Sequence, residues 1–333
     1  MNHYTTDVYE IKRENILFSK KLTKGIHQVE SKFIKQMIYG MTKSQSVILS
    51  NIADGLKEDI KKVNTVERLS RNLDKPLSND LLYENYMKEV NKVIGEEPVI
   101  LVDDTDVIKP YGKVFQSLGE VKDGSSLKAR YEKGYMVTEL VALTEKEKHP
   151  VSLYSHIHSS HEKGYKSIND VTFHGMNRVI EHIKKRCTFV FDRGYDANKY
   201  IRQVEKLKQS FILRLTERRN LYHKGKLMKA TTLRDSRKGK IKTRIMFQKE
   251  IKDCYITHLN VKTSASKKEM RLVLVYGLGE TPMMLLTNKT IRSKEDAIKI
   301  VRLYMSRWRI EDYFRFKKQT FGFEDFRVRS LQS

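Results

Sequence analysis

Two short apolar runs that each end in aspartate most constrain the fold of this chain. The first, PVILVDDTDVIKP at 98–110, is bounded by prolines and leads into Asp103 and Asp104. The second, CTFVFDRGYD at 187–196, leads into Asp192. Short apolar runs bounded by turn residues are typical of buried strands. Ligand groups collect at strand ends in α/β sheets, where carboxylates from neighbouring strands can share Mg²⁺, although a single such aspartate is commonly a turn residue.

The segments around these runs alternate between strand and helix patterns, which argues for an α/β sheet domain. The sequence predicts a strand pair over 134–159, helices over 167–186 and 197–209, and a strand over 210–217. Residues 1–95 read as mostly helical and rich in Lys and Arg, which suits a small DNA-binding domain or, equally, a plain helical lid. We therefore predict an α/β core, over 96–214 and 286–333, behind an N-terminal helical domain.

A basic block separates the two parts of the predicted core. Residues 215–285 have alternating patterns and glycine turns, which predict a β-rich insertion. Between Arg214 and Lys249, both included, there are thirteen Lys or Arg residues against two acids. Arg214 ends a predicted strand and could reach a phosphate or pair with an acid. The helical pattern resumes at Ser293, which with Asp296 forms a capping-box sequence.

The overall charge points to a polyanionic partner. The formal net charge is +24 and the sequence pI is about 9.7, values that favour nucleic acid over a merely soluble basic protein. Two cysteines exclude a disulfide framework. There is no apolar run of signal-peptide or membrane-spanning type, so we expect a cytoplasmic protein and no membrane partner.

The late helix YMSRWRIEDYFRFKK, at 304–318, places its functional groups on one side. At about 100° per residue, Tyr304, Arg307, Glu311 and Lys318 lie within a stripe of roughly 60°. This stripe is consistent with a third metal-binding acid, Glu311, beside groups that hold phosphates. A salt-bridge ladder from Arg307 to Glu311 explains it equally well, and the spacing alone leaves both interpretations open.

These residues together resemble the IS-four group of bacterial DDE transposases. The spacing of Tyr304, Arg307, Glu311 and Lys318 matches the Y-(2)-R-(3)-E-(6)-K signature of that group. The DDT at 103–105 resembles the motif of the first catalytic acid, for which we choose Asp104 over Asp103 because it directly precedes threonine. FDRGYD resembles the second motif, with Asp192 as its acid, and the basic block resembles the family's insertion domain.

The resemblance implies a ribonuclease-H-like mixed-sheet core that cuts the ends of its own mobile element and joins them to target DNA. Asp104, Asp192 and Glu311 would bind two Mg²⁺ (or Mn²⁺) ions and catalyse phosphoryl transfer. Five further residues are the candidate DNA contacts: Tyr304, Arg307, Lys318, Arg214 and Lys109. The N-terminal helices would bind terminal inverted repeats, and the protein would act as a homodimer on DNA. The resemblance also implies a bacterial protein that associates with the nucleoid.

Two other functions compete with transposition. Relatives continue with a helical dimerisation region after the signature, whereas this sequence ends at Ser333. This departure suggests a C-terminally truncated copy and favours a non-catalytic DNA-binding remnant or regulator. A metal-dependent nuclease that cleaves without joining would use the same three acids.

Overall fold

The computed structural model describes residues 2–124, 130–248, 250–327 and 329–330. In these residues the strands are β1 Val99–Ile108, β2 Gly119–Lys122, β3 Tyr131–Leu143, β4 Pro150–His158, β5 Thr188–Phe191, β6 Ser210–Arg214, β7 Asn220–His223, β8 Lys226–Lys229, β9 Ile241–Phe247, β10 Glu250–Thr263, β11 Ser266–Tyr276 and β12 Met283–Thr287. The helices are α1 Asn2–Leu22, α2 Gln28–Ser44, α3 Leu49–Leu56, α4 Lys62–Leu73, α5 Asn79–Val93, α6 Ile168–Ile183, α7 Asn198–Lys206, α8 Ala230–Asp235, α9 Lys294–Met305 and α10 Arg309–Phe321. Three 3₁₀ turns lie at Arg193–Tyr195, Ser306–Trp308 and Phe323–Asp325.

The core is a mixed sheet of ribonuclease-H-like topology, as predicted. Strand β3 pairs antiparallel with β1 on one side and with β4 on the other, while β5 pairs parallel with β1 and β6 parallel with β5. Helix α6 connects β4 to β5, and α7 connects β5 to β6. The apolar runs at 98–110 and 187–196 therefore form the central, parallel pair of strands, and β5 ends level with Val102, in the middle of β1.

The basic insertion extends this sheet rather than forming a separate one. The chain leaves the core after β6 and returns through β12, which pairs antiparallel with β6 and places Leu285 opposite Arg214. Strands β11 and β10 continue outward from β12, so the described strands form one twelve-stranded sheet in the order β2-β3-β1-β5-β6-β12-β11-β10-β7-β8, with β4 beside β3 and β9 beside β10. Helix α8, inside this region, was not predicted from the sequence pattern.

Helices cover the two faces of the core sheet. Side chains alternate between faces along each strand, so neighbouring residues of β1 enter different cores. Leu101 packs in the core beneath α9 and α10, which we call the front face. Val102 packs in the core beneath α5, α6 and α7, which we call the back face. Both residues are fully buried.

The N-terminal helices form a small core of their own. Phe33, Ile34, Ile52 and Leu69 form its apolar cluster between α2, α3 and α4. Helix α5 connects this core to the sheet, because Leu81 and Leu82 pack against the cluster while Met87 lies in the back-face core. Among the described helices, none is long and apolar enough to cross a membrane.

The late helix begins as predicted but is not uniform. Ser293 and Asp296 form the capping box. The 3₁₀ turn at Ser306–Trp308 then separates α9 from α10. The Ser306 hydroxyl donates to the Leu303 carbonyl at 2.6 Å, a bond that competes with the regular helical ladder. The helix predicted over 304–318 is therefore interrupted by a tighter turn that contains Arg307.

Candidate active site

Asp103, in the middle of β1, and Asp192, directly after β5, lie where the ladder between these two strands ends. The last pair of the ladder is Val102 and Phe191, so each aspartate is the next residue along the chain. Asp103 follows the alternation of Leu101 and faces α9 and α10. The front face of the sheet therefore presents carboxylates from two strands to the late helices.

Arg307 joins the carboxylates of two separate elements. Its Nη1 lies 3.2 Å from Asp103 Oδ2, and its Nη2 lies 2.5 Å from Glu311 Oε1. The salt bridge between Arg307 and Glu311 expected from the i,i+4 spacing is present. It does not exclude the active-site interpretation, because the same guanidinium also reaches the end of β1.

Tyr304 and Arg214 complete this cluster. The Tyr304 hydroxyl donates to Asp192 Oδ1 at 3.1 Å, and Tyr304 is 4% exposed. Arg214, at the end of β6, acts electrostatically on both Asp192 and Tyr304. The structure thus brings together Asp192, Tyr304, Arg307, Glu311 and Arg214.

Burial and the charge of Arg307 act in opposite directions on the pKa values of the two aspartates. Burial raises the pKa of Asp103 to about 7, and the attraction of Arg307 offsets only part of this rise. Burial also acts to raise the pKa of Asp192, but Arg307, the Arg193 backbone N–H and the Tyr304 hydroxyl outweigh it, so this pKa is lowered. Burial alone would lower the pKa of Arg307, which Asp192 and Asp103 nevertheless raise. Arg307 is therefore the cation that neutralises the acids.

Asp104, chosen from the sequence as the first acid, lies on the other side of the sheet. Its Oδ1 accepts a hydrogen bond from the Thr138 hydroxyl at 2.5 Å, and its Oδ2 accepts one from the Tyr195 hydroxyl at 2.6 Å. Consecutive residues of a strand point to opposite faces, so Asp103 and Asp104 cannot both face Arg307. The structure therefore corrects the choice: Asp103 is the residue that lies beside Arg307.

Two predicted DNA contacts are engaged within the protein. Lys109 is 8% exposed; its ammonium group donates to the carbonyls of Glu324 and Phe326 and lies 3.8 Å from the Phe326 ring centroid. This position, which the sequence suggested for DNA, instead fixes the segment after α10. Lys318 donates to the Asp106 carbonyl at 2.8 Å and pairs with Glu324 at 2.9 Å, about two helical turns beyond Glu311.

A buried ion pair that the sequence did not reveal attaches α10 to the sheet. Glu139 lies opposite Asp103 on β3 and is completely buried. Lys317 pairs with it at the front face, and the Ser155 hydroxyl donates to it at 2.7 Å. A carboxylate in the middle of the apolar run of β3 was the available signal, since buried charges are rare unless paired.

The acids fit a divalent cation in donor chemistry but are not gathered into a closed site. Carboxylate oxygens are the ligands that Mg²⁺ takes in proteins. In the parts of the chain that the structure describes, no group of three His, Cys, Asp or Glu side chains is close enough to hold a metal ion. A guanidinium cation instead pairs with Asp103 and Glu311. Binding of a metal ion by the three acids therefore requires Arg307 to release them.

The fold and this acidic cluster define a ribonuclease-H-like domain with a carboxylate centre on the front face of its sheet. The family model "Transposase DDE domain" matches residues 94–333, and the chain belongs to this family. The resemblance drawn from the sequence is thereby confirmed at the level of the DDE transposase family, whereas assignment to the IS-four group stays a prediction.

Solved structures that are similar to the chain include a transposase bound to DNA. The chain is similar to a piggyBac transposase, solved as a synaptic complex with hairpin DNA, at 10% sequence identity and a TM-score of 0.43. The similarity covers 91% of this chain and 57% of that one. No curated protein matches the sequence.

Proposed function

We propose that the protein is a DNA transposase that cuts the ends of its mobile element and joins them to target DNA. One observation carries this proposal: a single arginine, Arg307, holds Asp103 of β1 and Glu311 of α10, next to Asp192 at the end of β5. Family membership supplies the class of chemistry. In this proposal the spacing of the helical signature serves to bring Glu311 and Arg307 to the acids that the two strands contribute.

In this proposal Asp103, Asp192 and Glu311 hold two Mg²⁺ (or Mn²⁺) ions. Divalent cations supply the Lewis-acid chemistry that activates water or a 3′-hydroxyl and stabilises the leaving oxygen of a phosphodiester. Arg307 releases Asp103 and Glu311 and donates its hydrogen bonds to a DNA phosphate, for which its planar fork is suited. Arg214 and Tyr304 lie beside Asp192. In this proposal they contact the same DNA strand as Arg307.

The remaining positive charge provides the DNA-binding surface. Exposed basic side chains line the insertion, at Arg218, Lys224, Lys226, Lys229, Arg237, Lys238, Lys240 and Arg244. Phosphate contacts of this kind position DNA without reading its sequence. We assign recognition of the terminal repeats to the N-terminal helices, and we propose that a homodimer holds the two ends of the element.

Cleavage of DNA that carries the flanks of the gene tests this function. With Mg²⁺, the protein is expected to release 3′-hydroxyl ends and then to join them to a target plasmid, and Asp192→Ala should do neither. Cleavage without joined products would identify a nuclease. Salt-sensitive binding without cleavage, in a folded protein, would identify a non-catalytic regulator and overturn the proposal.

A further inference from the structure

We propose that Asp104 is a positioning residue that, through Tyr195, holds the turn carrying Asp192 against the end of β1. The inference rests on the proposed metal-dependent function, because it concerns how Asp103 and Asp192 are kept at a fixed separation. It gives Asp104 a role on the back face that differs from that of a metal ligand.

The backbone ladder ends just before the two acids. Strands β1 and β5 pair in register from Val99 and Thr188 to Val102 and Phe191. Asp192 then leaves the strand and begins the 3₁₀ turn Arg193–Tyr195. Beyond the last described pair, the position of Asp192 relative to β1 depends on side chains.

Tyr195 provides the required connection. Its backbone N–H donates to the Asp192 carbonyl at 3.0 Å, so it is tied directly to the residue it would position. Its ring packs 5.6 Å from that of Phe191 and 5.1 Å from that of Tyr200, and its hydroxyl donates to Asp104 Oδ2 at 2.6 Å. Tyr195 is only 6% exposed. A buried ring and one short hydrogen bond thus join the turn to β1.

Asp104 is itself fixed from its other side. Thr138, its partner on β3, donates its hydroxyl proton to Oδ1. A hydroxyl has one proton, so the contact of 2.9 Å between Thr138 Oγ1 and His158 Nε2 requires the imidazole to be the donor. The hydrogen bonds therefore run from His158 to Thr138 to Asp104, where they meet the bond from Tyr195. Both carboxylate oxygens are occupied by this network, which makes Asp104 an anchor.

The expected consequence is a loss of metal affinity without loss of the ligands. Metal sites require their ligands to be held to about 0.5 Å, and removal of outer hydrogen-bonding partners typically weakens metal binding by about 10- to 100-fold. If the tie between Tyr195 and Asp104 is broken, Asp192 keeps its carboxylate but can shift relative to Asp103. Higher metal concentration should then compensate for the loss.

Mn²⁺ binding to the full chain, followed by electron paramagnetic resonance without DNA, tests the proposal. The variants are Tyr195→Phe, Asp104→Ala and their combination. The matched control is Tyr200→Phe, which loses a buried hydroxyl bonded to Asn169 at 2.7 Å but leaves Asp104 untouched. Thermal melting establishes that each variant is folded, and the conservative Tyr195→Phe keeps the test decisive if Asp104→Ala does not fold.

We expect Tyr195→Phe and Asp104→Ala each to raise the Kd for Mn²⁺ about tenfold. The double variant should bind Mn²⁺ no more weakly than either single variant, because all three lack the same hydrogen bond between Tyr195 and Asp104. Saturating Mn²⁺ should restore DNA cleavage by Tyr195→Phe. Tyr200→Phe should bind Mn²⁺ within about twofold of the unmodified chain.

Two results would overturn the positioning role while leaving the metal site intact. One is a folded Tyr195→Phe with unchanged Mn²⁺ affinity. The other is an Asp104→Ala that binds no Mn²⁺ at any concentration while Tyr195→Phe is normal, which would make Asp104 a ligand. A different result would show that the proposed metal-dependent function itself is wrong. In that case Asp103→Asn and Asp192→Asn would bind Mn²⁺ with the same affinity as the unmodified chain.

Discussion

The front and back faces of the same strand ends hold polar clusters of opposite character. On the front, Asp103 and Glu311 are joined by one arginine from the late helices, and no metal site is closed among the described residues. On the back, both oxygens of Asp104 are satisfied by Thr138 and Tyr195. Adjacent residues of one strand thus belong to two different clusters, one held by the Arg307 cation and one held by hydroxyl hydrogen bonds to Asp104.

The largest expected effect concerns how α10 is held on the front face. Lys317→Met leaves Glu139 buried without its cation, which should lower the free energy of unfolding by about 3–5 kcal/mol. Combining it with Glu139→Gln removes both charges and should recover much of that loss. Urea unfolding measures the difference, and equal losses in the single and double variants would show that the pair does not couple helix to sheet.

The second prediction separates the two neighbouring aspartates. Asp103→Asn should reduce the rate of DNA cleavage at least about a hundredfold at any Mg²⁺ concentration, because a metal ion contributes several kcal/mol to transition-state stabilisation. Glu120→Gln, which changes an exposed carboxylate on β2, is the control. If Asp103→Asn cleaves normally while Asp104→Asn does not, the roles of the two faces are reversed.

The contribution of the back-face cluster to the free energy of unfolding should depend on pH. Burial, with a smaller contribution from His156, lowers the pKa of His158 to about 4. The unfolded histidine has a pKa near 6.5, so between about pH 4 and 6.5 the unfolded chain binds more protons than the folded one. The free energy of unfolding therefore falls as the pH decreases through this window, with a slope of up to about 1.4 kcal/mol per pH unit from this residue.

His158→Gln isolates that contribution. The amide can still donate toward Thr138 but does not titrate in this range. Urea unfolding at a series of pH values should show a shallower decline for His158→Gln than for the unmodified chain. Parallel declines would mean that the acid sensitivity of the protein arises elsewhere.

The smallest expected effect concerns the insertion rather than either cluster. Replacing Lys224, Lys226 and Lys229 with Gln should reduce the salt dependence of DNA binding, by about one unit of slope for each lysine that binds a phosphate. The matched control replaces Arg202, Lys206 and Lys208, three exposed cations on or just after α7. An equal change in both triple variants would show that the charge acts non-specifically.

Local pattern was sufficient for the strands and the cap, because both depend on neighbouring residues. The apolar runs before Asp103 and Asp192 form β1 and β5, and Ser293 caps α9 through Asp296. The face of the sheet toward which each aspartate points was not predictable in the same way. Whether Asp103 or Asp104 meets the late helix depends on a contact with Arg307, about two hundred residues away in sequence.

Long-range packing also explains the burial of Lys109, which the sequence did not indicate. Its charge suggested a solvated loop, but the segment after α10 returns over the end of β1 and presents two backbone carbonyls to it. Lys318 also contacts the end of β1, through the Asp106 carbonyl, and its contact with DNA stays a prediction.

The pairing of β12 with β6 fixes the distance between the insertion and the acids as well as the strand order. Four strand spacings of about 4.8 Å separate β5, which Asp192 directly follows, from β10 in the insertion, or about 19 Å across the sheet. Duplex DNA rises about 3.4 Å per base pair, so this span corresponds to about six base pairs. If a duplex lies across the strands, backbone hydrogen bonds rather than a hinged linker determine how far from the scissile phosphate the insertion grips it.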